Sequence, residues 1–140
     1  MKLELKHLVS YLPYDLKGIF LNSIITLSVN YFSKGTERGY DISAFLSNNI
    51  KPILFPLSSL TKEITINGET FVPYDKIKEI YPNTPQFTDY IKGWMQYYGF
   101  MDSKCEYVCI LKLFEWKIDV FGLIESGLAE QVTEDLNPYK

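Results

Sequence analysis

The sequence is poor in the residue types that carry most enzyme chemistry. It contains one histidine, His7, one arginine, Arg38, and two cysteines, Cys105 and Cys109. Nucleophilic catalysis needs a nucleophile beside a base, and a structural zinc site usually needs four nitrogen or sulfur ligands. The chain cannot complete such a zinc site alone, and a Cys–His pair would form only if the fold brought His7 to a cysteine. We therefore expect no metal ion, no cofactor and no catalytic residue.

Long apolar runs and an excess of basic charge are also missing. A membrane-spanning helix needs about 18 or more consecutive apolar residues, and the N-terminal residues lack the apolar core of a signal peptide. The formal net charge is −3, from 17 acidic and 14 basic residues, whereas nucleic-acid-binding proteins usually carry a basic excess. These absences predict a cytoplasmic protein with no membrane partner, and they disfavour direct binding to nucleic acid.

The composition supports one folded domain. The chain has 140 residues, of which 46% are hydrophobic and 16% are aromatic. This length and this hydrophobic content are enough for a core, so we expect residues 1–140 to form a single compact domain. Aromatic rings supply contact area to a core or an interface at low entropic cost. AT-rich coding would give the same bias, and the composition leaves both interpretations open.

Patterns in residues 1–73 predict strands and short helices. Apolar spacing predicts a helix over residues 3–12, and alternation predicts one strand between residues 19 and 31. Asp41 is a candidate N-cap for a helix over residues 41–46, which Asn48-Asn49 would end. Residues 51–57 contain two prolines and are expected to be extended or turn-like. Asn67-Gly68 between two β-branched runs favours a type I′ hairpin over residues 63–72, because both residues tolerate positive φ.

Residues 74–128 are predicted to be helical. Helices are expected at residues 74–80, at 86–98 and, as the longest element, from Lys104 to about Ser126. The last is amphipathic with a wide apolar face, and Gly127 would cap it. Residues 129–140 are expected to form an acidic, frayed tail. The predicted fold class is α+β, in which a small antiparallel sheet in the hairpin-rich N-terminal half packs against a helical C-terminal half.

Acidic charge is concentrated near the C-terminal end of the sequence. Residues 101–140 carry eight acids and four bases, whereas residues 1–100 carry nine acids and ten bases. Glu115 and Asp119 would share one helix face, where two carboxylates could hold a divalent cation. Lys112 on the same stripe favours a solvated helix face instead. The candidate partner-binding carboxylates are Glu115, Asp119, Glu125, Glu130, Glu134 and Asp135.

An aromatic cluster lies at the end of the predicted helix over residues 86–98. Its rings are three and four residues apart, so they share a helix face. Tryptophan and tyrosine are enriched at binding hot spots, but packing in the core explains the same spacing. The candidate residues are Trp94, Tyr97, Tyr98 and Phe100.

Four stretches of the chain together resemble small uncharacterised proteins that are common in phages and prophages of Bacteroidetes bacteria. These stretches are residues 11–18, 50–64, 67–73 and 112–124. The chain departs from the pattern at Phe55 and Ser59, where such proteins tend to carry arginine and aspartate. The resemblance implies a phage or prophage origin and brings no activity, ligand or catalytic residue.

Three functions follow as alternatives. The first is a non-catalytic, stoichiometric inhibitor of the anti-CRISPR kind, whose acidic helix and tail bind a host nucleic-acid defence protein by charge complementarity. The second is a phage accessory protein that binds nucleic acid directly. The third is an enzyme that uses Glu115 and Asp119 with a metal ion. The basic residues of the second alternative are Lys34, Arg38, Lys51 and Lys62. The sequence leaves open whether the long helix is buried within one chain or in a homodimer.

Overall fold

Short helices alternate with short strands along the chain. The computed structural model describes residues 2–27, 42–80 and 104–140. The α-helices in these ranges are α1 (Leu5–Val9), α2 (Ile42–Ser47), α3 (Pro73–Ile80) and α4 (Lys104–Glu115). The strands are β1 (Lys17–Phe20), β2 (Ser23–Thr26), β3 (Lys51–Leu54), β4 (Ile64–Ile66), β5 (Glu69–Phe71) and β6 (Glu130–Gln131). Single 3₁₀ turns cover Leu12–Tyr14 and Leu57–Thr61. The predicted α+β class is confirmed.

The described strands form a mixed sheet and a separate hairpin. The sheet has the order β2-β1-β3-β6, in which β1 is antiparallel to both of its neighbours. Strand β6 is parallel to β3, with Ile53 opposite Glu130. Strands β4 and β5 pair only with each other. The prediction of an antiparallel sheet is therefore wrong at this edge. Strand β6 pairs in parallel with β3, and the long segment of chain between the two strands is the crossover that parallel pairing requires.

The β1–β2 hairpin turns where the sequence predicts one continuous strand. Leu21 and Asn22 join the strands with φ of 49° and 65°, and Phe20 lies opposite Ser23. Positive φ at both central residues of a two-residue loop is the type I′ geometry. Leucine is disfavoured there because its Cβ is crowded in the left-handed region. The prediction of a single strand is therefore wrong. The sequence has no Asn-Gly or Asp-Gly pair at this turn that would have indicated it.

The β4–β5 hairpin matches its sequence signal. Asn67 and Gly68 form the turn with φ of 51° and 80°, and the strands pair from Ile64 opposite Phe71 to Ile66 opposite Glu69. The type I′ prediction is confirmed. Here the residue types agree with the backbone conformation that the turn demands.

Helix α4 ends at Glu115, well before the predicted boundary near Ser126. Lys117 adopts a left-handed conformation with φ of 56°. Its amide donates to the Phe114 carbonyl at 3.0 Å, and the next amide donates to the Leu113 carbonyl at 2.9 Å. This pair of bonds is a Schellman motif, which most often carries glycine at the position that Lys117 occupies. The prediction of one long amphipathic helix is therefore wrong.

Pairing beside β3 explains why the helix stops. The Phe55 amide donates to the Lys117 carbonyl, and the Asp119 amide donates to the Phe55 carbonyl, both at 2.8 Å. Phe55 and Ile118 thus form a parallel bridge. These tertiary hydrogen bonds hold Ile118 in a bridge beside Phe55, although the apolar spacing of the sequence would have continued the helix.

Helix α2 and the residues just after it pack closely against β1 in the core. A Cβ at Gly18 would lie 2.8 Å from both the Phe45 ring and the Ile50 side chain, so this contact requires glycine at position 18. Asn49 ends α2 in a left-handed conformation with φ of 52°, as predicted. The largest fully buried side chains include Leu8, Tyr11, Leu16, Phe45, Ile53, Ile77, Leu113 and Ile118.

The segment after β6 packs against the sheet instead of fraying. Tyr139 is only 5% exposed. Its hydroxyl donates to the Ile53 carbonyl at 2.6 Å and accepts from the Lys17 amide at 3.0 Å. Its own carbonyl accepts from the Asn67 amide at 2.7 Å. The prediction of a frayed tail is wrong because this one side chain finds buried partners on both β1 and β3.

Some predictions concern residues outside the described ranges. These are the helix over residues 86–98, the aromatic cluster Trp94, Tyr97, Tyr98 and Phe100, the N-cap Asp41, and the basic residues Lys34 and Arg38.

Candidate functional site

Asp119 caps a turn just beyond the end of α4. It is 4% exposed, and its two carboxylate oxygens accept the amides of Leu123 and Ile124, each at 2.9 Å. The turn that begins there ends at Gly127, which has φ of 75°. Burial raises the pKa of Asp119, while the backbone amides that donate to it act in the opposite direction. A buried carboxylate held in this way is a backbone cap.

The predicted pairing of Glu115 with Asp119 on one helix face is wrong. Helix α4 ends at Glu115, and this carboxylate accepts instead from the Lys112 ammonium at 2.8 Å. Among the described residues, no group of three or more His, Cys, Asp or Glu side chains could hold a metal ion. The two carboxylates therefore give no support to a metal-dependent enzyme.

Tyr11 holds the residues on either side of Asp119 in place. Its hydroxyl donates to the Ile118 carbonyl at 2.5 Å and accepts from the Val120 amide at 3.2 Å. Tyr11 is 1% exposed, and burial raises its pKa strongly. The hydroxyl stays protonated and serves as a hydrogen-bonding tie between residues 107 or more positions apart in the sequence.

His7 is a packing and capping residue. Its Nδ1 accepts the Glu4 amide at 3.0 Å at the start of α1, and its ring meets the Phe121 ring edge-on, with centroids 5.3 Å apart. Burial is the main cause that lowers the pKa of His7, and this shift favours the neutral imidazole. The side chains of Cys105 and Cys109 lie outside the described part of the structure, and the Cys–His hypothesis gains no support.

Lys117 combines three unusual properties. It is only 6% exposed, it occupies the left-handed position described above, and its ammonium lies 5.1 Å from the centroid of the Tyr139 ring. No carboxylate in the described ranges comes close enough to form an ion pair with it. Burial lowers the pKa of Lys117, against the smaller opposing effects of Asp15 and Glu115.

The other predicted acidic residues lie on either side of β6. Glu125 is exposed and precedes this strand, whereas Glu134 and Asp135 are exposed and follow it. None of these three forms an ion pair with a described basic residue. Glu130, within β6, pairs with Lys51 at 3.7 Å. The exposed carboxylates thus lie in the segments before and after β6 and do not form one helix face.

The basic residues proposed for nucleic-acid binding are not brought together by the described structure. Lys51 is paired with Glu130, and Lys62 is exposed beyond the second 3₁₀ turn. Lys34 and Arg38 lie outside the described ranges. A continuous basic surface, which phosphate binding would require, is not seen among the described residues.

Comparisons with protein families, with curated proteins and with solved structures find no significant similarity. No helix in residues 2–27, 42–80 or 104–140 is long and apolar enough to cross a membrane.

Sequence reasoning missed the two residues that most distinguish this region, Lys117 and Tyr139. The Schellman position of Lys117 has no glycine to mark it, and the contacts of Tyr139 join distant parts of the chain. The capping role of Asp119 did have a local signal in the sequence, because an aspartate just before a short apolar segment is typical of an N-cap.

Proposed function

We propose that this chain is a non-catalytic protein of phage or prophage origin that binds and inhibits a host nucleic-acid defence protein in the host cytoplasm. The observation that carries the proposal is a set of exposed carboxylates without described partners on an anchored segment. The set comprises Glu125, Glu134 and Asp135.

The segment is suited to binding because its backbone is held in place. The Asp119 cap fixes the turn that carries Glu125, and the Thr133 and Leu136 backbones pair with each other around the other two acids. Tyr139 then anchors the following residues to the sheet. Carboxylates on a fixed backbone lose less conformational freedom on binding than carboxylates on a loose tail. They complement the basic groove that a nucleic-acid enzyme offers to its substrate.

The buried polar groups of the same region favour binding over catalysis. Asp119, Tyr11 and His7 are each engaged with backbone amides or carbonyls. A general acid or base must be able to reach a proton on its substrate. Groups that close turns of the fold are poorly placed for that role, so the exposed acids are the better candidates for function.

The decisive experiment compares two variants with the same net charge. One carries Glu125→Gln, Glu134→Gln and Asp135→Asn, and the control carries Glu63→Gln, Glu79→Gln and Asp75→Asn, which changes three other exposed acids. Both raise the formal net charge from −3 to 0. The assay is DNA cleavage by a purified, guide-loaded CRISPR nuclease of a Bacteroidetes host, titrated with each variant.

We expect the unchanged chain and the control to inhibit cleavage at about equimolar concentration, and the first variant to lose at least about tenfold in affinity, since each lost interfacial charge pair is worth several-fold or more. Inhibition should also weaken with added salt. Equal inhibition by both variants would show that the acidic segment is not the binding surface. Absence of inhibition and of a complex on size-exclusion chromatography would refute the proposed function itself.

A further inference from the structure

The first helix is attached to the rest of the molecule by few side chains. Helix α1 has five residues, of which only His7 and Leu8 are buried, whereas Leu5 and Val9 are 56% and 48% exposed. A helix this short is not stable by itself and depends on its packing. The His7 side chain is therefore one of two anchors that hold α1 in place.

The hydrogen bond of His7 requires a neutral imidazole. Its Nδ1 accepts the Glu4 amide at 3.0 Å, at the position that glutamate or glutamine occupies in a capping box. A neutral imidazole has one acceptor nitrogen, whereas both nitrogens of an imidazolium are donors. Protonation at Nδ1 would place two N–H groups against each other, and the Glu4 amide would lose its acceptor.

No described carboxylate is placed to compensate an imidazolium at this position. His7 is 5% exposed and forms no ion pair within the described ranges. The charged groups that act on it are Lys6, Glu4 and Asp119. The Glu4 carboxylate lies 3.5 Å from the Lys6 ammonium, and the Asp119 oxygens already accept two backbone amides. Helix α2, which packs against α1, contains no charged residue.

Aromatic contacts connect His7 to the turn that follows α4. The imidazole meets the Phe121 ring edge-on. Phe121 stacks on Phe114 with centroids 6.0 Å apart, and Phe114 meets Tyr11 edge-on at 5.0 Å. An aromatic ring can stabilise a nearby cation, but burial outweighs this effect because the pKa of His7 is lowered. A displacement of the imidazole would therefore be felt by the ring of Phe121 first.

We propose that protonation of His7 releases α1 from the turn that contains Phe121, so that the start of the chain responds to acid. The added proton removes the acceptor of the Glu4 amide and leaves a buried charge without a partner, which is costly. Movement of the ring towards water relieves both. The inference is independent of the proposed inhibitor function, because it uses none of Glu125, Glu134 and Asp135.

The direction of the pH dependence follows from the burial of the ring. Because the pKa of His7 is lower in the folded chain than in the unfolded chain, the unfolded chain binds the proton more tightly. The stability that His7 contributes is complete above about pH 6.5, the ordinary histidine pKa, and is lost as the pH falls through the folded value. Burial raises the pKa of Asp119, whose titration acts in the opposite direction.

NMR titration of the full chain tests the release directly. His7 is the only histidine in the sequence, so one imidazole spectrum reports its protonation between about pH 8 and 5. We expect a neutral ring with its proton on Nε2 at the high end, and Glu4 and Phe121 signals that shift with the same midpoint as the imidazole. A neutral ring with its proton on Nδ1 would overturn the proposal, and so would Glu4 and Phe121 signals that stay unchanged while the imidazole titrates.

His7→Gln keeps the cap and removes the titration, because glutamine at this position of a capping box accepts the same amide at any pH. Urea unfolding is measured for both chains at about pH 7.5 and 5, and the change with pH is compared, which cancels any difference in packing against Phe121. We expect the unfolding equilibrium constant of the unchanged chain to rise at least about threefold more than that of the variant. Equal changes in the two chains would show that the proton on His7 does not oppose the fold.

Discussion

At the scale of single residues, Asp119 has a structural role that its spacing from Glu115 does not indicate. Spacing of four from Glu115 suggests a shared helix face, but the two residues end up in different elements. Glu115 stays at the helix end with Lys112, while Asp119 turns inwards and receives two amides. Two carboxylates that look equivalent in the sequence therefore differ in what their removal costs.

We predict that Asp119→Ala lowers the free energy of unfolding by about 1–3 kcal/mol, because the buried amides of Leu123 and Ile124 lose their acceptors. Glu115→Gln is the matched control. Its carboxylate is partly exposed and forms one ion pair with Lys112, so it should cost less than about 1 kcal/mol. Urea unfolding monitored by circular dichroism measures both values. Equal losses for the two variants would contradict the assignment of Asp119 as a cap.

At the scale of elements, the two hairpins have the same type of turn, but only the β4–β5 turn is built from residues that favour positive φ at both positions. The β4–β5 turn uses Asn67-Gly68, and the β1–β2 turn uses Leu21-Asn22, with positive φ at all four positions. Leu21 is also 81% exposed, so no packing compensates for its conformation. The first position of the β1–β2 turn is thus a place where the sequence is not optimal for the fold.

We predict that Leu21→Asn raises the free energy of unfolding by about 1 kcal/mol, because asparagine tolerates the left-handed conformation that crowds leucine. The reciprocal change, Asn67→Leu, should lower it by a similar amount in the other hairpin. Thermal and urea unfolding of each variant measure these changes in the free energy of unfolding. A neutral or destabilising effect of Leu21→Asn would indicate that the leucine side chain has a stabilising contact.

Elements with local signals were predictable, and elements set by distant contacts were not. The Asn67-Gly68 turn, helix α3 and the end of α2 at Asn49 each depend on residues within a few positions. The end of α4 depends on Phe55, some sixty residues earlier in the sequence, and no periodicity rule contains that information. The exposure of Glu125, Glu134 and Asp135 was foreseeable from their charge. The burial of Lys117 was not, because lysine is ordinarily at the surface.

At the scale of the whole molecule, Tyr139 joins parts of the chain that local structure would leave separate. Its side chain reaches β1 and β3, and its carbonyl reaches the β4–β5 turn through Asn67. The Asn137 amide group donates to the Thr65 carbonyl at 3.2 Å beside it. The mixed sheet and the separate hairpin are therefore tied to each other by the last residues described.

We predict that Tyr139→Phe lowers the free energy of unfolding by about 1–3 kcal/mol, because the Ile53 carbonyl and the Lys17 amide lose a buried partner. Tyr14→Phe is the matched control. Its hydroxyl has no hydrogen bond within the described structure and its ring is half-buried, so the change should stay within about 0.5 kcal/mol. Urea unfolding separates the two. Coincident curves for the variants would show that the Tyr139 hydroxyl is not a tie.

The hydrogen bond between the Lys17 amide and the Tyr139 hydroxyl spans 122 positions of sequence. This separation determines when the bond can form during synthesis of the chain. The ribosome completes the β1–β2 hairpin long before it adds Tyr139, whose hydroxyl binds the Lys17 amide of that hairpin. Until then the nascent polypeptide must keep a half-built sheet from aggregating or being cleaved. Contacts of such separation also slow folding. The ability to acquire stable structure should therefore appear abruptly, once Tyr139 has been made.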